Sequence, residues 1–166
     1  MLASGCSHTR NETSQFKYDQ GAIVRGPIGD KVLALVFTGG DYGEGTAAIL
    51  DALRSEEIPA SFFVTGDFLR KPEHRGLPER IVAEGHYLGP HSDRHLLYCS
   101  WENRKHTLVS EADFKADLSQ NIADLRAYGV LDSRRPIWFI PPFEWFNADQ
   151  VAWARDMNVA MFNFTP

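Results

Sequence analysis

The chain predicts an α/β fold, a barrel or a doubly wound sheet with mostly parallel strands, and three observations carry that expectation. Short apolar runs without polar alternation suit strands buried on both faces. Amphipathic stretches separate those runs by short connections, so strand and helix alternate along the chain. The polar residues able to do chemistry then fall at the carboxyl ends of the strands, where such folds gather their sites.

The first run, Lys31 to Thr38 (KVLALVFT), ends at Gly39-Gly40 and reads as a doubly buried strand. Thr46 opens AAILDALRSEE, whose Ile49, Leu50 and Leu53 share one helical face. Pro59 stops that helix, and Ala60 to Thr65 (ASFFVT) is the next buried strand. From Phe68 to Glu84 the chain is charged and broken by Pro72 and Pro78; its second half, PERIVAEG, reads as a helix closed by glycine. A short strand around Tyr87-Leu88 leads into Gly89-Pro90, and the polar, aromatic stretch Leu96 to Val109 has no period. Ser110-Glu111-Ala112-Asp113 resembles a capping box and opens a helix with Phe114, Leu118, Ile122 and Leu125 on one face, closed by Gly129. Ile137 to Ile140 is a strand ending in Pro141-Pro142, Asn147 caps a helix carrying Val151 and Met157, and Val159 to Phe164 is a last strand. These assignments put Thr38 to Asp41, Thr65 to Asp67, His91 with His95, Pro141 to Glu144, and Thr165 on one rim.

At 166 residues, 43% hydrophobic and 23% charged, the chain suits one globular domain with a real core. Its net charge of -5 supplies no basic footprint, so nucleic acid is not an expected partner. No run of about eighteen apolar residues exists, so no transmembrane span is expected. Cys6 and Cys99, the only cysteines, make no disulfide framework. Leu2-Ala3-Ser4-Gly5-Cys6 resembles the end of a bacterial lipoprotein signal, with Ser7 to Gln15 as a polar tether, although the charged and apolar regions of such a signal are missing. On that reading Cys6 carries a lipid anchor and the protein works outside the cytoplasm; on the other, the short match is chance. Residues 1–30 then form a polar lead and 31–166 the folded domain.

The sharpest local signal is His91-Ser92-Asp93-Arg94-His95. Two imidazoles four residues apart lie on one side of a helical turn and can meet one metal ion. Alone, the spacing is common and fits a solvated turn. Following a buried strand and a Gly-Pro turn, with an acidic strand end upstream, it points instead to a divalent cation with Asp41 as the natural third ligand. Zinc suits such a set, and cobalt and nickel also accept two imidazoles and a carboxylate.

Gly85 to His95 (GHYLGPHSDRH) resembles the second motif of the polysaccharide deacetylases of carbohydrate esterase family 4, the NodB homology domain: a glycine-histidine strand leading into His-Ser/Thr-x-x-His. LVFTGGDYGEGTAAILDAL is similar to their first strand and helix, which normally carry Thr-Phe-Asp-Asp-Gly, and WFIPPFEW to their third motif, usually Arg-x-Pro-Tyr. The three motifs lie in the family's order and spacing over roughly residues 31 to 166. The resemblance implies an irregular (β/α) barrel and metal-assisted removal of acetyl groups from a carbohydrate polymer or oligosaccharide. It further implies His91, His95 and Asp41 as ligands, a carboxylate base, and an acetylated glycan as substrate. The strands that would carry the family's catalytic-site tryptophan and its Leu-x-His acid would follow residue 166, so the barrel is expected to be incomplete.

Two departures bear on catalysis. Gly39-Gly40-Asp41 stands where the family has adjacent aspartates, so Asp41 matches the ligand and a glycine the base; a slip of one residue makes Asp41 the base instead. Ile140 replaces the third motif's arginine, and losing both halves of an ion pair together avoids an unpaired buried charge. Glu144 or Glu44 then stands in as base, Glu44 being better explained by the dipole of the helix after it. Flat rings stack on the apolar faces of sugars: of the rim aromatics Phe143, Tyr98, Trp101 and Trp145, the residues expected to meet substrate are Trp145 and Tyr98, together with Pro142. Trp138 and Trp153 are expected to pack, and Cys99 to be a small buried hydrophobe. Two other functions compete with the deacetylase: a non-catalytic glycan-binding relative that keeps the metal, and an α/β protein without metal.

Overall fold

The computed structural model describes residues 16–27, 29, 31–131 and 136–164. It opens with a hairpin of β1 (Lys17–Asp19) and β2 (Ala22–Arg25), turned through Gln20 and Gly21 at φ 49° and 93°. Two central residues at positive φ make the primed type of turn whose twist matches antiparallel strands. The folded part therefore reaches into the stretch expected to be a polar lead; Cys6 and the lipoprotein pattern lie outside the described residues.

The remaining elements alternate as β3 (Val36–Gly39), α1 (Thr46–Ser55), β4 (Ser61–Val64), α2 (Gly66–Arg70), α3 (Leu77–Ala83), β5 (Tyr87–Pro90), α4 (Glu111–Arg126), β6 (Ile137–Phe139), α5 (Ala148–Asp156) and β7 (Val159–Met161). Strands β3, β4 and β5 pair in parallel in that order, and β6 pairs in parallel with β7. The Tyr87 hydroxyl bridges the gap between the two sheets, donating to the Trp138 carbonyl and accepting from its N–H at 3.3 and 3.1 Å. On the far side Ile23 of β2 bridges Phe162. The result is an α/β fold whose mostly parallel strands form an open, curved wall, the partial barrel expected from the motifs.

Two apolar clusters fill the molecule. One gathers Leu50, Leu53, Phe62, Phe68, Ile81, Leu88 and Leu125; the other gathers Tyr98, Phe114, Leu118, Ile122, Phe139, Phe146 and Met161. Helix α4 feeds both, because Phe114, Leu118, Ile122 and Leu125 form one stripe; burying each such side chain contributes about 1.5–3 kcal/mol. Strand β4 is buried from Phe62 to Val64, as its unbroken apolar run requires.

The first run behaves differently. Only Val36–Gly39 is strand, and Val32 and Leu33 are 74% and 94% exposed. Among the described residues β3 has a neighbour on one side only, so nothing presses the run Lys31 to Leu35 into a doubly buried strand. The last run is likewise strand only over Val159–Met161. The segment after β4 gains a helix not anticipated from its charges: Thr65 caps α2 by accepting from the Phe68 N–H at 3.0 Å.

Candidate active site

The histidine turn follows β5 directly and is tied to the neighbouring strand end. Gly66 and Asp67 at the start of α2 donate their N–H groups to the carbonyls of Ser92 and Asp93 at 3.1 and 3.2 Å. A Cβ on Gly66 would collide with the Asp93 carboxylate, so only glycine permits this approach.

The turn is not helical. Ser92 and His95 both adopt left-handed backbone, at φ 71° and 54°. Helix α4 holds that geometry. Asp117, whose side chain has no exposed surface, accepts from the N–H groups of Asp93 (2.9 Å) and Arg94 (3.2 Å) and from the Arg94 guanidinium (3.0 Å). One turn on, Asn121 accepts the His91 N–H at 3.0 Å. Inside the turn the Ser92 hydroxyl accepts the His95 N–H at 2.9 Å.

The rings meet regardless of the missing helix. The two Nε2 atoms stand 3.2 Å apart. His91 Nδ1 lies 2.8 Å from the Ile140 carbonyl, which accepts only from an N–H, so the lone pair of His91 is on Nε2 and faces His95. Burial pushes the His91 pKa down to about 4, against the Ile140 bond, so the ring stays neutral. Burial also lowers the His95 pKa, opposed by the charge of Asp41. Two nitrogens bound to a tetrahedral cation at the usual zinc distance would be roughly 3.3 Å apart. The pair fits that requirement.

Asp41 does not complete it. The residue is exposed, and Lys71 Nζ holds it outward through the backbone carbonyl (2.6 Å) and Oδ1 (3.1 Å). Among the described residues no group of three His, Cys, Asp or Glu side chains is placed to hold a metal. Lys71, from the end of α2, occupies the carboxylate instead.

Glu144 ends a tight turn, Pro142–Glu144, in which Phe143 and Glu144 are left-handed at φ 58° and 52°. It is half-buried, and burial raises its carboxyl pKa. Glu44 is exposed ahead of α1 and accepts from the Gly43 N–H at 3.1 Å.

The expected sugar contacts change most. Tyr98 is fully buried and packs edge-on to Phe114 at 5.0 Å, with Ser92 and Asp117 beside its hydroxyl; it belongs to the core rather than to the open rim. Pro142 is buried as well. Trp145 is half-buried: its ring stacks on Trp101 at 5.4 Å, the Arg104 guanidinium covers it at 4.8 Å, and its indole N–H donates to the Ser100 carbonyl at 3.1 Å. The open rings are Trp101 and Phe143, 54% and 43% exposed, with Phe143 edge-on to His95 at 4.4 Å. Trp138, expected to pack, is 41% exposed, whereas Trp153 packs on Phe114 and Cys99 is buried as expected.

The family model for polysaccharide deacetylase matches residues 25–162, and the chain belongs to that family. A chitooligosaccharide deacetylase of Rhizobium leguminosarum bv. trifolii is 30% identical over 131 residues, covering 70% of this chain and 60% of that protein. A peptidoglycan-N-acetylglucosamine deacetylase of Bacillus cereus is 28% identical over 133 residues, covering 80% of this chain and 44% of its own length. The chain thus spans less than two thirds of either relative. Among solved structures, a family 4 carbohydrate esterase from Bacillus anthracis superposes with a TM-score of 0.65 at 26% identity, covering 79% of this chain and 56% of that one. A family 4 pseudoenzyme, also from Bacillus anthracis, has the same fold, with a TM-score of 0.69 at 21% identity, over 88% of this chain and 47% of that one.

Proposed function

We propose that the chain is the core of a metal-dependent hydrolase that removes acetyl groups from a glycan. The observation that carries the reading is the convergence of two neutral imidazole nitrogens at 3.2 Å, one of them fixed by the Ile140 carbonyl. His91 and His95 would hold a divalent cation, zinc by preference, which supplies a Lewis acid for the acetyl carbonyl and lowers the pKa of bound water. His91 presents a lone pair whose direction is set by its bond to Ile140. Glu144, half-buried at the rim with its carboxyl pKa raised by burial, is the candidate base. Asp41 joins the set, as third ligand or as base, only if it leaves Lys71. Relatives named for peptidoglycan and chitooligosaccharide substrates support an acetylated amino-sugar glycan and work outside the cytoplasm, with Cys6 as a lipid anchor in the simplest arrangement. Among the described residues no helix is long and apolar enough to cross a membrane.

A second reading, a glycan-binding relative that does not turn over, is favoured by the outward-held Asp41 and by Ile140 at the arginine position. Metal content and acetate release, measured on the chain and on a His91→Ala, His95→Ala variant, separate the two. One metal per chain, lost in the variant, with acetate released from acetylated oligosaccharides, establishes the deacetylase. Metal without acetate points to the binding relative or to an absent catalytic acid, which retained binding of the oligosaccharides separates, and equal, negligible metal in both proteins removes both readings.

A further inference from the structure

The stretch between the histidine turn and α4 has no periodicity, yet it folds into a tightly fastened loop. Ser100 is its anchor: the side-chain oxygen accepts from the N–H groups of Glu102 and Asn103 at 3.2 and 3.3 Å and donates to the Glu102 carboxylate at 2.6 Å. Its backbone N–H reaches the His106 carbonyl at 2.9 Å. Trp101 sits at the tip, braced from behind by a stack. Its ring lies on Trp145 with 24° between planes, and Arg104 covers Trp145 and Phe146 at 4.8 and 4.9 Å. Arg104 is itself fixed by the Phe146 carbonyl at 2.5 Å and by Asp19 at 2.7 Å.

This construction leaves a large apolar ring more than half exposed and backed on one side by the Trp145 ring. The open ring is joined to the histidine pair through Phe143, which lies edge-on to His95 at 4.4 Å and to Trp101 at 5.8 Å. Glu102 and Asn103 flank the ring in solvent, offering an ionised carboxylate and an amide to hydroxyl groups. A rigid aromatic face with polar neighbours suits a pyranose with equatorial substituents, whose axial C–H bonds form a flat apolar face ringed by hydroxyls.

We propose that Trp101 is the stacking platform for a second sugar ring of the glycan, farther along the polymer than the acetylated ring at His91 and His95. The inference rests on the glycan reading of the site but not on its catalysis or its metal. It makes Trp101, rather than Trp145, the residue that reads chain length; Trp145 and Arg104 are its support.

The test is equilibrium binding to the metal-free chain, using N-acetylglucosamine and its β-1,4-linked tetramer as probes, followed by the indole N–H resonance of Trp101 and by heat of binding. The tetramer should bind the unaltered chain about tenfold more tightly than the monomer and shift that resonance. Trp101→Ala should abolish the preference while monomer binding and thermal midpoint stay as they were, and Trp101→Phe should restore most of it. Equal affinity for monomer and tetramer, an unmoved Trp101 resonance, or a preference surviving in Trp101→Ala would each overturn the proposal. Chain-length preference without acetate release leaves it standing and removes the deacetylase, so the two readings fail separately.

Discussion

His91 is neutral in the folded chain because almost no water reaches it, and that neutrality makes stability depend on pH. Unfolded, the ring takes a proton near its ordinary value of 6.5; folded, it does so only near 4. Its contribution is therefore complete above the unfolded value and is lost as pH falls from there toward the folded one, for a total of about 3 kcal/mol. In chelator, urea unfolding of the chain should weaken between about pH 7.5 and pH 4.5 by on the order of 2 kcal/mol more than that of His91→Gln. Equal losses in the two proteins would contradict the burial argument. The pair was legible because two histidines after a strand and a Gly-Pro turn converge under few constraints. Tyr98 was not: three residues beyond the second motif, in a stretch without period, nothing marks which ring turns inward. That is decided by Phe114, sixteen positions later on α4. Asp41 was legible as a charge at a strand end but not in its direction, which Lys71 sets from across the rim.

The helices were the readable elements, since α1, α4 and α5 each show an apolar stripe and a polar residue at the entrance. Their caps are unequal. Ser110 accepts one backbone N–H, from Asp113 at 3.1 Å. Asn147 completes a reciprocal box with Gln150 and also donates to the Arg104 carbonyl and Thr107 hydroxyl at 2.9 Å each. Ser110→Ala should cost about 1 kcal/mol in chemical denaturation, and Asn147→Ala at least about 2 kcal/mol because buried partners are left unpaired. Comparable losses would mean that the Asn147 bridges add nothing. Such a variant also loosens Arg104, and with it the stack behind Trp101. The hairpin β1–β2 escaped notice because three- and four-residue strands show no period, although Gln20-Gly21 carried a turn signal.

At the scale of the whole molecule, the β3 side of the wall is bare among the described residues. Val32, Leu33, Leu35 and Val36 are exposed in sequence beside β3, the outermost strand of its sheet among the described residues. A long apolar edge invites pairing between copies, and charge on it opposes pairing. The Leu33→Lys, Val36→Lys variant should sediment with less self-association at high concentration than the unaltered chain, with its thermal midpoint nearly unchanged. A drop in midpoint would show that these side chains are covered in solution. The parallel order of the strands was legible from the alternation of runs, but the identity of the edge was not, because a run of apolar residues does not state how many neighbours it has.

Helix α4 draws residues for both apolar clusters from one stripe and, from Asp117 and Asn121, the acceptors that hold the histidine turn. The sixteen-residue helix is thus a shared support of both clusters and of the histidine turn, beside the ties from Gly66, Asp67 and the Ile140 carbonyl. Loosening α4 should therefore disturb the spacing of the two rings as well as the core.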